Sequence, residues 1–142
     1  MKYVIDSEFI DTPTCSALIS FAIVREDNAY RYFEFAFPEE ELTPWLREHV
    51  VPHLSGERTT FAEAAKEIER FIGADRPEVW AYFGAYDWYW FCRLWGGMMH
   101  LPPTWPHRFN EVAHVALPEP AAVPHNALSD CHAILRALKK AS

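Results

Sequence analysis

The spacing of apolar and polar positions changes along the chain, and each change marks an element. "KYVI", Lys2 to Ile5, is a short apolar run of the buried-strand type and ends at Asp6. "ALISFAIV", Ala17 to Val24, predicts a second buried strand. "REDNA", Arg25 to Ala29, has turn chemistry at Asp27 and Asn28. "YRYFEFAF", Tyr30 to Phe37, alternates in part and predicts a third strand. Connections this short imply an antiparallel meander.

The period then lengthens. Thr43 followed by Pro44 is an N-cap with proline at the first helical position, and Trp45, Leu46, His49 and Val50 continue that face. Thr60 and Glu63 form a capping-box signature. Phe61, Ala64, Ala65, Ile68, Phe71 and Ile72 follow at helical spacing, and Gly73 stands where the helix should stop. "EVWAYF", Glu78 to Phe83, predicts a strand, and "YDWYWFCRLW" a helix running to Gly96 and Gly97. "LPPTWP", residues 101 to 106, is a loop, and a short last strand is expected within Arg108 to Val112. "LPEPAAVP", residues 117 to 124, leads into a final helix with Ala127, Cys131, Ile134, Leu135 and Leu138 on one side. The order strand, strand, strand, helix, strand, helix, strand, helix predicts an α/β fold. It is a mixed five-stranded sheet, an antiparallel meander plus parallel strands, flanked by helices. No repeat or linker interrupts it, so residues 1 to 142 read as one domain.

Composition narrows the class. A chain that is 50% hydrophobic and 15% aromatic is not disordered. No apolar run reaches the roughly 18 residues of a membrane span, and the "MKYVIDSEF" start does not read as a signal peptide. The 3 cysteines (Cys15, Cys92, Cys131) suggest no disulfide framework and point to the cytoplasm. With no C-x-x-C or H-x-x-x-H pair, structural zinc is not expected. A net charge of -7 argues against a sequence-independent nucleic-acid coat. It leaves room for an enzyme that holds a phosphate chain through metal ions.

The acids carry the chemistry. Asp6 and Glu8, two apart, share one face at the end of the first strand. Asp87 follows the fourth strand, and neighbouring central strands would bring it close to Asp6. Asp130 lies on the final helix, with His125 just before it. Taken singly, each has a plain structural reading. Asp87 suits a helix N-cap, Asp130 a solvated helix face, and His125 a loop beside a helix start. Together they form a group of like charges that calls for a cation, and oxygen donors suit Mg²⁺ or Mn²⁺.

"DSE" early, "GAYD" in the middle and "HNALSD" near the end resemble the three motifs of the DEDDh group of 3′–5′ exonucleases. "IDSEFI", "VWAYFGAYDWYWFCRLWG" and "LPPTWP" are similar to the mycobacterial polyadenylate-specific exoribonucleases (ribonuclease AS) of that group. The resemblance spans almost the whole chain and implies a ribonuclease-H-like fold. It implies two Mg²⁺ or Mn²⁺ ions held by Asp6, Glu8, Asp87 and Asp130, with Asp6 bridging both. His125 would be the general base. Expected substrates are single-stranded RNA 3′ ends, adenylate-rich RNA among them, with DNA as the alternative. A non-catalytic nucleic-acid-binding module on the same fold is the rival from another class. Phe9 is the first candidate for a base contact and Trp88 the second. A homodimer follows from the same resemblance. Ser7 stands where these relatives usually carry Thr, a change expected to matter little.

Overall fold

The computed structural model describes all 142 residues. Its sheet has the order β3-β2-β1-β4-β5. The strands are β1 (Lys2–Thr12), β2 (Cys15–Arg25), β3 (Tyr30–Glu34), β4 (Glu78–Ala81) and β5 (Asn110–Glu111). The helices are α1 (Pro44–His49), α2 (Phe61–Ile72), α3 (Ala85–Arg93) and α4 (Ala127–Lys140). β1, β2 and β3 form the antiparallel meander, and β4 and β5 add in parallel on the other side of β1.

Side chains alternate across β1 and sort the core into two layers. Tyr3 and Ile5 face α2 and α3, in a cluster with Phe21, Ile23, Val79, Ile68, Phe71 and Phe91. Val4 faces α4, in a cluster with Ala22, Val24, Cys131, Ile134, Leu135 and Leu138. Each fully buried aliphatic side chain contributes about 1.5–3 kcal/mol. Dense layers on both faces therefore make the central strands the rigid part of the molecule. The helix boundaries follow their caps. Thr43 Oγ1 accepts from the Leu46 N–H, Thr60 Oγ1 from the Glu63 N–H, and Asn126 Oδ1 from the Ser129 N–H.

Three strand limits differ from the sequence reading. β1 does not end at Asp6 but runs to Thr12, because β2 pairs with it along its whole length, from Tyr3↔Arg25 to Thr12↔Cys15. Asp6 and Glu8 thus sit inside the strand. Their special position comes from β4, whose pairing with β1 covers only Lys2 to Val4. β3 stops at Glu34, after which Phe35 makes a parallel bridge to Thr59. β4 stops at Ala81, because the chain turns at Phe83 (φ 47°) into α3. A bulge lies between Glu8↔Ser20 and Phe9↔Leu18 and leaves Ile19 as the extra residue on β2.

Candidate active site

Beyond the last β1–β4 pair, Asp6 and Glu8 project from the face of the sheet that α4 covers. Asp130, in the first turn of α4, meets them there. Carboxylate oxygens of Asp6, Glu8 and Asp130 all lie within 4.8 Å of one another. Two like charges at that separation repel by about 3–4 kcal/mol at an effective dielectric of about 20. No lysine, arginine or terminal amine forms an ion pair with any of the three. Burial and mutual repulsion disfavour the ionised form of each carboxyl. Burial, then the charges of Asp87, Glu8 and Asp130, push Asp6 well above its ordinary range. Burial, with Asp130 and Asp87 behind it, raises Glu8 to about 9. Burial also raises Asp130, and the neighbouring His125 pulls the other way.

Asp87 comes in from the opposite layer. It is buried in the first turn of α3 and stands outside the three-acid group, near enough for its charge to act on Asp6. The Ser7 hydroxyl donates to Asp87 Oδ1. Ser7 lies between the two β1 acids in sequence and points to the other face of the strand, so β1 serves the site from both sides. Burial raises Asp87, the hydrogen bonds from Ser7 oppose that, and Glu111 adds to it.

The turn that delivers Asp87 is held by Glu111 on β5. Its carboxylate accepts from the N–H groups of Phe83 (2.9 Å), Gly84 (2.9 Å) and Ala113 (3.0 Å). These bonds fix the turn ahead of α3, whose N-cap residue is Gly84 and carries no side-chain cap. No other residue fits there, since a Cβ would come within 2.2 Å of the Ala81 Cβ.

His125 precedes the Asn126 cap of α4 with φ 64°, in the left-handed region that non-glycine residues rarely adopt. Its ring meets two rings of α1, Trp45 at 4.7 Å and His49 at 5.7 Å between centroids. Trp45 and His49 also touch each other, at 4.8 Å.

Of the two substrate-contact candidates, Phe9 is half-buried and stacks on Tyr86 at 4.8 Å. The Tyr86 hydroxyl donates to Asp11. Trp88 turns into the core instead, against Phe91 at 5.5 Å and Phe109 at 6.0 Å. Two residues apart on a helix is about 200° of rotation. Trp88 inside therefore means Tyr86 outside, and Tyr86 takes the exposed place beside Asp87. Sequence reasoning set Ser7 aside and assigned no site role to Glu111, Trp45, His49 or Tyr86. The one signal available was the position of Ser7 between two acids on a strand.

This architecture is that of the ribonuclease-H-like class. The structure of exonuclease I matches it with a TM-score of 0.64 at 12% identity, over 95% of this chain and 39% of that one. The chain thus spans well under half the length of exonuclease I. No family model matches the chain. Two curated relatives do, the 3′–5′ exoribonucleases of two Mycobacterium tuberculosis strains. Each is 35% identical over 152 residues, covering 96% of this chain and 90% of the relative. The chain belongs to the family of these mycobacterial 3′–5′ exoribonucleases.

Proposed function

We propose that the chain is a metal-dependent 3′–5′ exoribonuclease of the DEDDh type. It releases nucleoside 5′-monophosphates from the 3′ end of single-stranded RNA, adenylate-rich RNA included. The observation that carries this reading is the Asp6, Glu8 and Asp130 cluster within 4.8 Å, without a basic partner. The names of the mycobacterial relatives support the reaction.

The donor set fits hard divalent cations. It is all oxygen, and the acids carry a repulsion that a cation would relieve. Asp6 would bridge two Mg²⁺ or Mn²⁺ ions, Glu8 and Asp130 would hold one, and Asp87 the other. When bound, such ions neutralise charge on the phosphodiester and polarise it. The rest falls to the chain's own groups. His125 takes the proton of the attacking water at an imidazole nitrogen. Phe9, backed by Tyr86, offers a ring face to a nucleobase, a contact that tolerates any base. Ser7 and Glu111 keep Asp87 in place. A cytoplasmic setting agrees with three free thiols. A homodimer agrees with the exposed Phe83, Tyr89 and Met99.

The test is a 5′-labelled single-stranded RNA incubated with the protein and Mg²⁺ or Mn²⁺. A ladder shortening from the 3′ end is expected, stopped by chelator and lost in Asp6→Ala. Unchanged turnover in that variant would overturn the reading. Faster hydrolysis of a matched DNA strand would reassign the substrate. Tight RNA binding without metal-stimulated cleavage would make the chain a binding module.

A further inference from the structure

The group that must move a proton, His125, lies on a segment with little regular structure of its own. Residues 117 to 126 hold no helix or strand, and prolines stand at 118, 120 and 124. The segment is tied to α4 by the Val123 N–H, which donates to Ser129 Oγ at 2.9 Å, and by the Asn126 cap. Neither bond reaches the imidazole. The ring contacts come from α1, remote in sequence, through Trp45 and His49.

The helix α1 is well seated. Leu46 and Val50 are buried with Ile10 of β1 and Ile19 of β2. Thr43 caps its start. The chain just beyond it is tied down by the buried Glu34. That carboxylate accepts from the Ser55 N–H (2.8 Å), the Ser55 hydroxyl (3.2 Å), the Gly56 N–H (2.8 Å) and the Tyr32 hydroxyl (2.7 Å). A continuous packed path therefore runs from the sheet through α1 to the histidine. Trp45 itself is 47% exposed, so its burial is a small part of the core. Its ring meets the His125 ring at 74°, an edge-to-face contact that fixes direction as well as distance.

We propose that Trp45 is a positioning residue that holds the His125 imidazole toward Asp130 and the acid cluster. This rests on reading His125 as the general base. A proton acceptor must stay within hydrogen-bond reach of the water it serves, and a shift of about 1 Å can cost about a hundredfold in rate. Trp45 supplies that constraint without touching the reacting atoms.

The experiment is a double-mutant cycle on the metal-loaded protein, with kcat and KM measured on one RNA oligonucleotide. Trp45→Ala should lower kcat by about tenfold or more and leave KM within about twofold. Trp45→Phe should restore most of the loss. In a His125→Ala background, Trp45→Ala should cost nothing further, because a residue acting through another loses its effect when that one is gone. Thermal unfolding of each variant serves as the folding control. Should Trp45→Ala not fold, Trp45→Leu, which keeps apolar bulk but no ring, enters the same cycle. A rise in KM with kcat unchanged would make Trp45 a substrate contact and overturn the proposal. An equal further loss in the His125→Ala background would do the same. If His125→Ala alone leaves kcat intact, the general-base reading fails first, and that result is distinct from either outcome for Trp45.

Discussion

Asp87 and His125 reach the same site by opposite means. Asp87 sits buried in a helix turn on the α2/α3 side of the sheet, fixed by backbone N–H bonds to the Glu111 carboxylate and by the Ser7 hydroxyl. His125 sits on a proline-rich segment in a left-handed backbone conformation and is steadied by ring contacts from α1. A group that only has to present charge to a cation can be built into the scaffold. A group that must accept and release a proton keeps its ring nitrogens free for the water it serves, so its ring is oriented by packing against other rings.

The largest effect should appear on the acid side, in the protein without metal. Asp6, Glu8, Asp87 and Asp130 are all raised above their ordinary range, Glu8 to about 9. Between the ordinary carboxylate range and that value the folded chain binds more protons than the unfolded one, so stability falls as pH rises. Thermal midpoints in chelator should therefore drop from about pH 5 to about pH 9, and Mg²⁺ or Mn²⁺ should restore them. Glu8→Gln should flatten the slope. A midpoint that climbs over this range would contradict a cluster forced to hold protons.

On the loop side, His125→Ala should slow turnover by about 10²–10⁴-fold, as expected for loss of a general base. Its unfolding midpoint and metal affinity should stay near those of the parent, since the ring is half-buried and flanks the acids. Metal binding lost together with rate would mean that His125 organises the acids instead.

A smaller change is expected from Glu111→Ala. It removes the acceptor of three backbone N–H groups and should cost about 2–3 kcal/mol in urea unfolding. Glu111→Gln, which keeps an acceptor, should lose less. Equal losses would mean that side-chain volume matters there rather than the carboxylate. The smallest effect belongs to Ser7→Ala. Removing one buried donor to Asp87 should cost about 1–2 kcal/mol, and Ser7→Thr should be close to neutral. A neutral Ser7→Ala would return Ser7 to the minor role expected from sequence.

The contrast also explains what was legible in the sequence. Asp6, Glu8 and Asp130 were visible through their joint occurrence in three motifs that resemble a known family, since each taken singly had a plain structural reading. The length of β1 was not, because the pairing that extends it to Thr12 belongs to β2. Trp88 and Tyr86 could not be sorted, because α3 is aromatic on nearly every side and its period carries little information. Glu111 acts on a turn 27 residues earlier, and Trp45 reaches a histidine in a distant loop. Neither contact leaves a trace in local spacing. The four acids and His125 could be named from the sequence, whereas the contacts that support them are long-range.

The extra residue on β2 has a consequence for how this chain can vary. Ser20 stays opposite Glu8, while Ile19 still packs beneath α1 with Leu46 and Val50. Removing Ile19 would leave Ser20 opposite Glu8 and Leu18 opposite Phe9 in one continuous register, so no other side chain of β2 would change face. The acids would keep their frame, and the platform under Trp45 would lose one of its buried side chains. A single-residue deletion could thus uncouple proton transfer from cation binding without altering either set of side chains.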